Sequence, residues 1–363
     1  MNRIVLIGNG FDLAHGLNTR YEDFINWYWE QRVNGFVGNT STVSRDPLCS
    51  FEITDTNECW NVFVFQLPRF FNRISGKDVV QSIVGDKERY KVKFFFLFDR
   101  IVKGIDTKGW VDIENEYYSL LATLTFPIVG GSQKVDPQLL NFQLDYLKNL
   151  LIDYLKIEEG KEIETVKSIK DKLCGPIRQE EISVANNNYS GNRDKDAPVS
   201  NVMLLSFNYT KTARLYAENN PKVQVNYIHG ELDKPKSVIF GYGDDLDDTY
   251  EKLKNLNDNE CLRNMKSINY LEANNYRKML EFIESEPFQV CIMGHSCGNS
   301  DRTLLNTLFE HRFCVSVKPY YYIKEDGTDN YLELIQNISR NFTDMKLMRD
   351  RVVNKMYCEP LVK

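Results

Sequence analysis

Arg3-Ile4-Val5-Leu6-Ile7-Gly8-Asn9-Gly10-Phe11-Asp12 is the stretch on which the fold turns. Ile4 to Ile7 are consecutive apolar residues, mostly β-branched, which suits a strand buried on both faces. Gly8 and Gly10 then stop it. Gly8 permits a sharp turn, and Gly10 lets backbone N–H groups approach a ligand without an intervening Cβ. A helix that follows aims its positive end into this gap, a setting that suits a pyrophosphate. The dinucleotide fingerprint is incomplete: Leu13 stands where a third glycine belongs, and no clear acid closes a second strand some 20 positions on.

Strand patterns return late in the chain, at 202–206, 223–228, 237–240, 288–293 and 314–323. Most are followed by Gly, Asn or His and then by a helix-like segment, and this alternation predicts a parallel, helix-covered sheet. Between the first strand and the rest lies a mainly helical region. Thr19-Arg20-Tyr21-Glu22 reads as a capping box opening a helix through Trp27 and Trp29. Residues 34–57 read as an irregular excursion, and helices are expected over 58–72, 90–103, 112–124, 137–156 and 158–173. The run 185–198, with its consecutive asparagines, reads as a linker. The expected organisation is therefore an α/β core from residues 1–20 and 200–363, of Rossmann-like parallel type, with residues 21–199 as a mostly helical insertion.

The chain has 363 residues, 42% of them hydrophobic, which suffices for a core without covalent staples. Net charge is −6 with pI ≈ 5.5 and no dense basic block, against an extended nucleic-acid surface. The eight cysteines show no C-x-x-C spacing and the four histidines are dispersed, so no zinc pattern and no metal are expected. No run is long enough to span a bilayer and the N-terminal apolar run is too short for a signal peptide, so a cytoplasmic location is expected.

Ligands in open parallel sheets sit beyond the carboxyl ends of the strands. Those ends read Gly8-Asn9-Gly10-Phe11-Asp12, Ser206-Phe207-Asn208-Tyr209-Thr210, Ile228-His229-Gly230, Phe240-Gly241-Tyr242-Gly243 and Gly294-His295-Ser296-Cys297-Gly298-Asn299-Ser300-Asp301. Taken singly, Asn208 and Asp301 read as helix caps and His229 as a turn residue. Taken together, they line one crevice. Gly294-His295-Ser296-Cys297-Gly298 also fits a G-x-S-x-G elbow, but His311 is the only later histidine, and it follows Asp301 too closely to build a triad.

At these residues a resemblance emerges. Leu6-Ile7-Gly8-Asn9-Gly10-Phe11-Asp12-Leu13-Ala14-His15-Gly16-Leu17 resembles the opening of the bacteriophage abortive infection AbiH family. Trp110-Val111-Asp112-Ile113-Glu114 and the later strand-end blocks resemble the remaining family blocks, in order. The resemblance implies an antiphage role. More distantly, the order is similar to sirtuin-like NAD-binding domains, where a Gly-x-Gly turn holds phosphates, an Asn faces the nicotinamide ribose and a His-Gly pair supplies a base. The chain departs from that pattern at Asn9 to Asp12 and at Thr210, where an acid often follows the Asn, and it lacks a zinc ribbon.

The expected ligand is thus NAD or a related nucleotide. Gly8, Asn9, Gly10 and Phe11 with Gly294, His295 and Ser296 would hold phosphates. His229 would act as a base, Asn208 would orient ribose or water, and Asp12 or Asp301 would stabilise developing positive charge. The expected function is an abortive-infection effector that hydrolyses the N-glycosidic bond. Its further partners would be a phage-derived trigger and a second copy of the chain, with no membrane. Two alternatives remain: a nucleotide sensor signalling through the helical insertion without chemistry, and a metal-dependent nuclease built on Asp12, Asp112, Glu114 and Asp301.

Overall fold

In the computed structural model the residues described are 1–35, 43–54, 84–108, 112–125, 135–185 and 195–362. The expected helix over 58–72 and the residues Trp110 and Val111 lie outside them. The strands are β1 (Asn2–Ile7), β2 (Val43–Arg45), β3 (Cys49–Ile53), β4 (Tyr90–Phe94), β5 (Val202–Ser206), β6 (Val223–Tyr227), β7 (Phe288–Met293) and β8 (Cys314–Tyr320). The chain divides into two compact units: Met1–Asn18 with Leu155–Tyr250 and Asn264–Lys363, and Thr19–Tyr154 with Glu251–Arg263.

The first unit is built on a parallel five-stranded sheet of order β6-β5-β1-β7-β8. The fold is thus α/β, as the strand and helix alternation implied, with the opening strand at the centre. Every residue of β1, β5, β7 and β8 is buried, because helices and loops cover both faces. Ile4 and Leu6 of β1 join Met203, Leu205, Val290 and Ile292 in one core cluster. Val5 and Ile7 point the other way, into a cluster with Val202, Leu204, Cys291 and Met293. Each such side chain contributes roughly 1.5–3 kcal/mol by leaving water. The outer edge of β8 is met by the chain's last stretch, through parallel bridges Val317 to Val352 and Tyr321 to Pro360.

The second face carries a buried ionic chain that starts near the amino ends of β1 and β7 and reaches the middle of β8. Arg3 donates to Gln289 Oε1 from Nε at 3.1 Å and to the carbonyls of Lys172 and Leu173 from Nη1 at 2.8 and 2.9 Å. Gln289 donates to Glu181 Oε2 at 2.9 Å, and Lys318 to Glu181 Oε1 at 2.7 Å. Burial works to raise the Glu181 pKa, but the bonds from Lys318 and Gln289 outweigh it and hold the carboxyl below its usual value. These charges tie β1, β7 and β8 to the helix Lys167–Cys174.

In the second unit, β2, β3 and β4 form an antiparallel sheet beside the helices Tyr21–Asn34, Phe96–Lys108 and Ile113–Ala122. Its core is aromatic. Trp29, wholly buried, lies 5.9 Å from Phe51 and 6.0 Å from Phe98, centroid to centroid.

Several local expectations are corrected. Residues 34–57 are not irregular throughout, since β2 and β3 fall there. Tyr90 to Phe94 is a strand and not the start of a helix: Tyr90, Val92 and Phe94 alternate with lysines and pair with Ile53, Phe51 and Cys49. The helix expected over 158–173 is confined to Lys167–Cys174, because the preceding helix, Pro137–Glu159, ends at Gly160. The segment 237–240 forms no strand. It leaves a 3-10 turn at Pro235–Ser237 and pairs with the backbone past β6 only through Ile239 N–H to the His229 carbonyl at 2.9 Å.

Gly294 has φ +78°, and a Cβ there would meet Phe11 N at 2.1 Å; Gly16 has φ +80° with open space around it. Substitution by alanine separates the two costs. Gly16→Ala is expected to lose about 1–2 kcal/mol, the left-handed penalty alone. Gly294→Ala adds a backbone collision and is expected to lose more than about 4 kcal/mol. Chemical denaturation of both variants measures this, and equal losses would show that the Gly294 contact is not tight.

Candidate functional site

The order of the sheet strands reverses at β1, between β5 on one side and β7 on the other, which makes the β1–β7 junction a topological switch point. There the loop after β1 crosses the loop after β7. Gly10 N–H donates to the Gly294 carbonyl at 2.9 Å, and Phe11 N–H to the Gly8 carbonyl at 2.8 Å. A Cβ on Gly8 would lie 2.6 Å from His295 Cα, and one on Gly10 would lie 2.9 Å from Gly294 Cα. The glycines therefore let two chains pass at contact distance. The helix Asn9–Ala14 begins within the motif, with Gly8 at its N-cap position. Asn9 and Ser296 are exposed, and Gly10 and Gly294 between which the contact runs are half-buried.

Two polar groups are built around the crossing. In the first, Asn208, after β5, donates from Nδ2 to the Gly8 carbonyl at 2.9 Å. Thr210 donates from Oγ1 to Asp12 Oδ2 at 2.6 Å. Asp12 is 2% exposed, and its Oδ1 has no hydrogen-bond partner. Burial drives its pKa up from 3.8 to about 6, with the Thr210 bond pulling the other way and the Glu159 charge adding to the rise. Nearby His15 is held by the Phe11 carbonyl at 2.7 Å and the Tyr216 hydroxyl at 2.6 Å, which gives it a structural position.

The second group gathers the ends of β6 and β7. Asp301 Oδ1 lies 2.8 Å from Lys266 Nζ and 3.2 Å from His229 Nε2, and its Oδ2 faces His295 Nε2 at 3.6 Å. Asp301 stands at a helix N-cap position, yet its side chain makes no capping bond; it turns inward to these cations and rings. Burial alone would raise its pKa, but Lys266 and His229 hold it well below 3.8. Burial lowers the His229 pKa, and the Lys266 charge lowers it further against the pull of Asp301, so the imidazole is neutral at pH 7. Its proton is assigned to Nε2, facing the carboxylate, which leaves the Nδ1 lone pair as the basic position. The Cys297 N–H donates to His295 Nδ1 at 3.0 Å and fixes that ring in the same tautomer.

Phe207 joins the groups. Next to Asn208 in the chain, its ring lies 5.1 Å from the His229 ring and 4.1 Å from that of His295. The Tyr270 hydroxyl reaches His229 Nε2 at 3.1 Å and its ring stacks on the imidazole. The structure thus brings Gly8, Gly10, Phe11, Asp12, Asn208, His229, Gly294, His295 and Asp301 together around one crossing. Asp112 and Glu114 belong to the second unit, where Asp112 caps its own helix by accepting from Asn115 N at 3.1 Å. Among the described residues no group of three or more His, Cys, Asp and Glu side chains is arranged to hold a metal ion. His311 pairs with Glu284 at 3.1 Å, away from Ser296. Lys266 and Tyr270 escape a sequence reading, because Asn264-Met265-Lys266 and Asn269-Tyr270 carry no motif.

A carboxyl whose pKa is higher folded than unfolded favours folding at low pH and opposes it above its folded value. For Asp12 this opposition is complete above about pH 6 and absent below 3.8. At 1.36 kcal/mol per pH unit the gap amounts to roughly 3 kcal/mol. Asp12→Asn is therefore expected to be more stable than the parent at pH 8 by up to about 3 kcal/mol, with the gain vanishing near pH 4. Urea denaturation at the two pH values decides it, and a pH-independent difference would refute the assignment.

A search of the curated proteins and a search of the solved structures match nothing. Among the described residues no helix is long and apolar enough to cross a membrane. The model of one protein family, Bacteriophage abortive infection AbiH, matches residues 4–322, from the opening strand to just past β8. That span takes in the crossing and every residue gathered around it. The chain belongs to the bacteriophage abortive infection AbiH family.

Proposed function

We propose that this protein is an abortive-infection effector whose strand-end crevice binds a nucleotide, with NAD first among the candidates, and hydrolyses its N-glycosidic bond. Membership of the AbiH family suggests the antiphage role. The observation that carries the chemical part is the contact of 3.2 Å between a neutral, desolvated His229 and the Asp301 carboxylate, where the ends of β6 and β7 are gathered. A histidine so held is oriented as a general base.

The sheet order supports a Rossmann-like core, which we take to be of the sirtuin-like type: counted in chain order within the unit, the strands run 3-2-1-4-5. The core would comprise residues 1–20 and 200–363. One departure from the sirtuin-like pattern finds a counterpart in the geometry. Thr210 takes the place of an acid after Asn208, and its hydroxyl is bonded to Asp12, so a carboxylate reaches that point from the first motif. Asp12 would face developing positive charge on the ribose, and Asn208 would orient the ribose or the water. The exposed Asn9 and Ser296, flanking the glycine crossing and His295, would meet the phosphates.

In the proposed reaction the bond between ribose and nicotinamide breaks heterolytically, and its electron pair leaves with the ring nitrogen. Water adds to the sugar carbon and its proton passes to His229. The products are nicotinamide and ADP-ribose. The reaction uses no metal. The nucleotide is the ligand, a phage-derived component the trigger, self-association a means of control, and the cytoplasm the compartment.

A sensing role without chemistry draws on a separate observation. The Gly10 and Phe11 amides already have carbonyl partners, and His229 is only 4% exposed.

The test incubates the full chain with NAD, with and without extract of phage-infected cells, and follows nicotinamide by chromatography and binding by calorimetry. Release is expected, falling on the acid side of about pH 6 as Asp12 takes up a proton. His229→Ala is expected to lose roughly 10²–10⁴ in rate with binding kept within a few-fold. Binding without release would favour the sensor, and neither binding nor release would end the NAD reading.

A further inference from the structure

On the open side of β6, away from the glycine crossing, a pocket of about 280 Å³ is lined by Arg214, Asn226, Tyr227, Glu231, Lys234, Asn275 and Lys278 with Val225. Three of these residues are cationic and one is acidic, on a chain whose net charge is −6. The Glu231 carboxylate is shared by Arg214 and Lys234, the latter at 2.9 Å. Lys278 has no acidic partner among the described residues.

Asn275 opens the helix Asn275–Ser285, whose beginning is unusual. Asn274 at the N-cap position makes no side-chain capping bond, and the first turn contains no acid. It carries Arg277 and Lys278 instead, cations placed at the positive end of the helix dipole. Such an arrangement is unfavourable in isolation and is relieved by a bound anion. Asn226 supplies an independent sign. It is 5% exposed and lines the same pocket, with Nδ2 on the Asn275 carbonyl at 2.8 Å, while its Oδ1 has no partner. An unpaired buried acceptor calls for a donor.

We propose that this pocket binds a small phosphorylated ligand, of mononucleotide size or less, with its phosphoryl group between Lys278, Arg214 and Lys234 and a hydroxyl or amino group toward Asn226. The volume lies just below the usual range of ligand pockets, about 300–1,000 Å³, which limits the ligand to a small one. Tyr227 and Glu231 flank His229 by two residues on either side, so the occupied pocket adjoins the turn that carries the histidine. A phosphoryl group would compete with Glu231 for Arg214 and Lys234 and loosen that turn. The binding claim does not depend on what the strand-end site catalyses.

Adenosine monophosphate and inorganic phosphate, titrated into the full chain at matched ionic strength, serve as probes by calorimetry and thermal melting. Both are expected to bind and raise the melting temperature, the nucleotide more tightly. Lys278→Glu reverses the exposed charge at the helix start. It is expected to weaken phosphate roughly tenfold or more while raising the melting temperature of the ligand-free protein. Ser296→Asp, which sets a negative charge at the exposed position assigned to phosphates in the strand-end crevice, is expected to leave probe binding unchanged. No binding of either probe, or binding lost with Ser296→Asp but kept with Lys278→Glu, would overturn the proposal.

Discussion

A single backbone hydrogen bond, Gly10 N–H to the Gly294 carbonyl at 2.9 Å, ties the loops after β1 and β7 together at the carboxyl end of the sheet. It joins loops separated by most of the chain, and it forms only because neither residue has a Cβ. From it follow the placement of His295 beside Gly8 and the start of the helix that carries Asp12. Asn208 closes the same junction through the Gly8 carbonyl. A side chain at Gly294 would push the ends of β1 and β7 apart, and the gathered polar groups with them.

Around that junction two buried acids are driven in opposite directions. Asp12, with a hydroxyl for a partner and one bare oxygen, sits near pH 6; Asp301, with an ammonium and an imidazole, stays ionised. Pairs of carboxyls pushed apart by their surroundings are a mark of sites that move protons. Charge is also buried on the second face of the sheet, where Arg3, Gln289, Glu181 and Lys318 satisfy one another. That network ties strands and a helix together. The contrast lies in completeness: no oxygen of Glu181 is bare, whereas Asp12 Oδ1 is.

The sequence revealed the central strand because burial on both faces leaves an uninterrupted apolar run, and it revealed the strand ends because glycine, asparagine and histidine cluster there. It also misled in physical ways. The glycines looked like space for a ligand, and much of that space is filled by another segment of the same chain. Val238, Ile239 and Phe240 looked like a strand, but the segment leaves a 3-10 turn at Pro235–Ser237 and pairs with the backbone past β6 only through Ile239 N–H to the His229 carbonyl at 2.9 Å. Tyr90, Val92 and Phe94 alternate with period two, a signal hidden by the aromatic run that follows. Lys266 was illegible, since nothing in its neighbours marks a lysine that will be wholly buried against an aspartate across 35 residues.

The account rests on the claim that Asp12, Asn208 and His229 serve one bound molecule. A crystal structure of the full chain soaked with NAD tests it most directly. The account predicts density for the nicotinamide ribose within hydrogen-bonding reach of Asn208 and Asp12, with His229 facing the glycosidic carbon. NAD seated elsewhere, with Asp12 Oδ1 still bare beside an unoccupied glycine crossing, would contradict it.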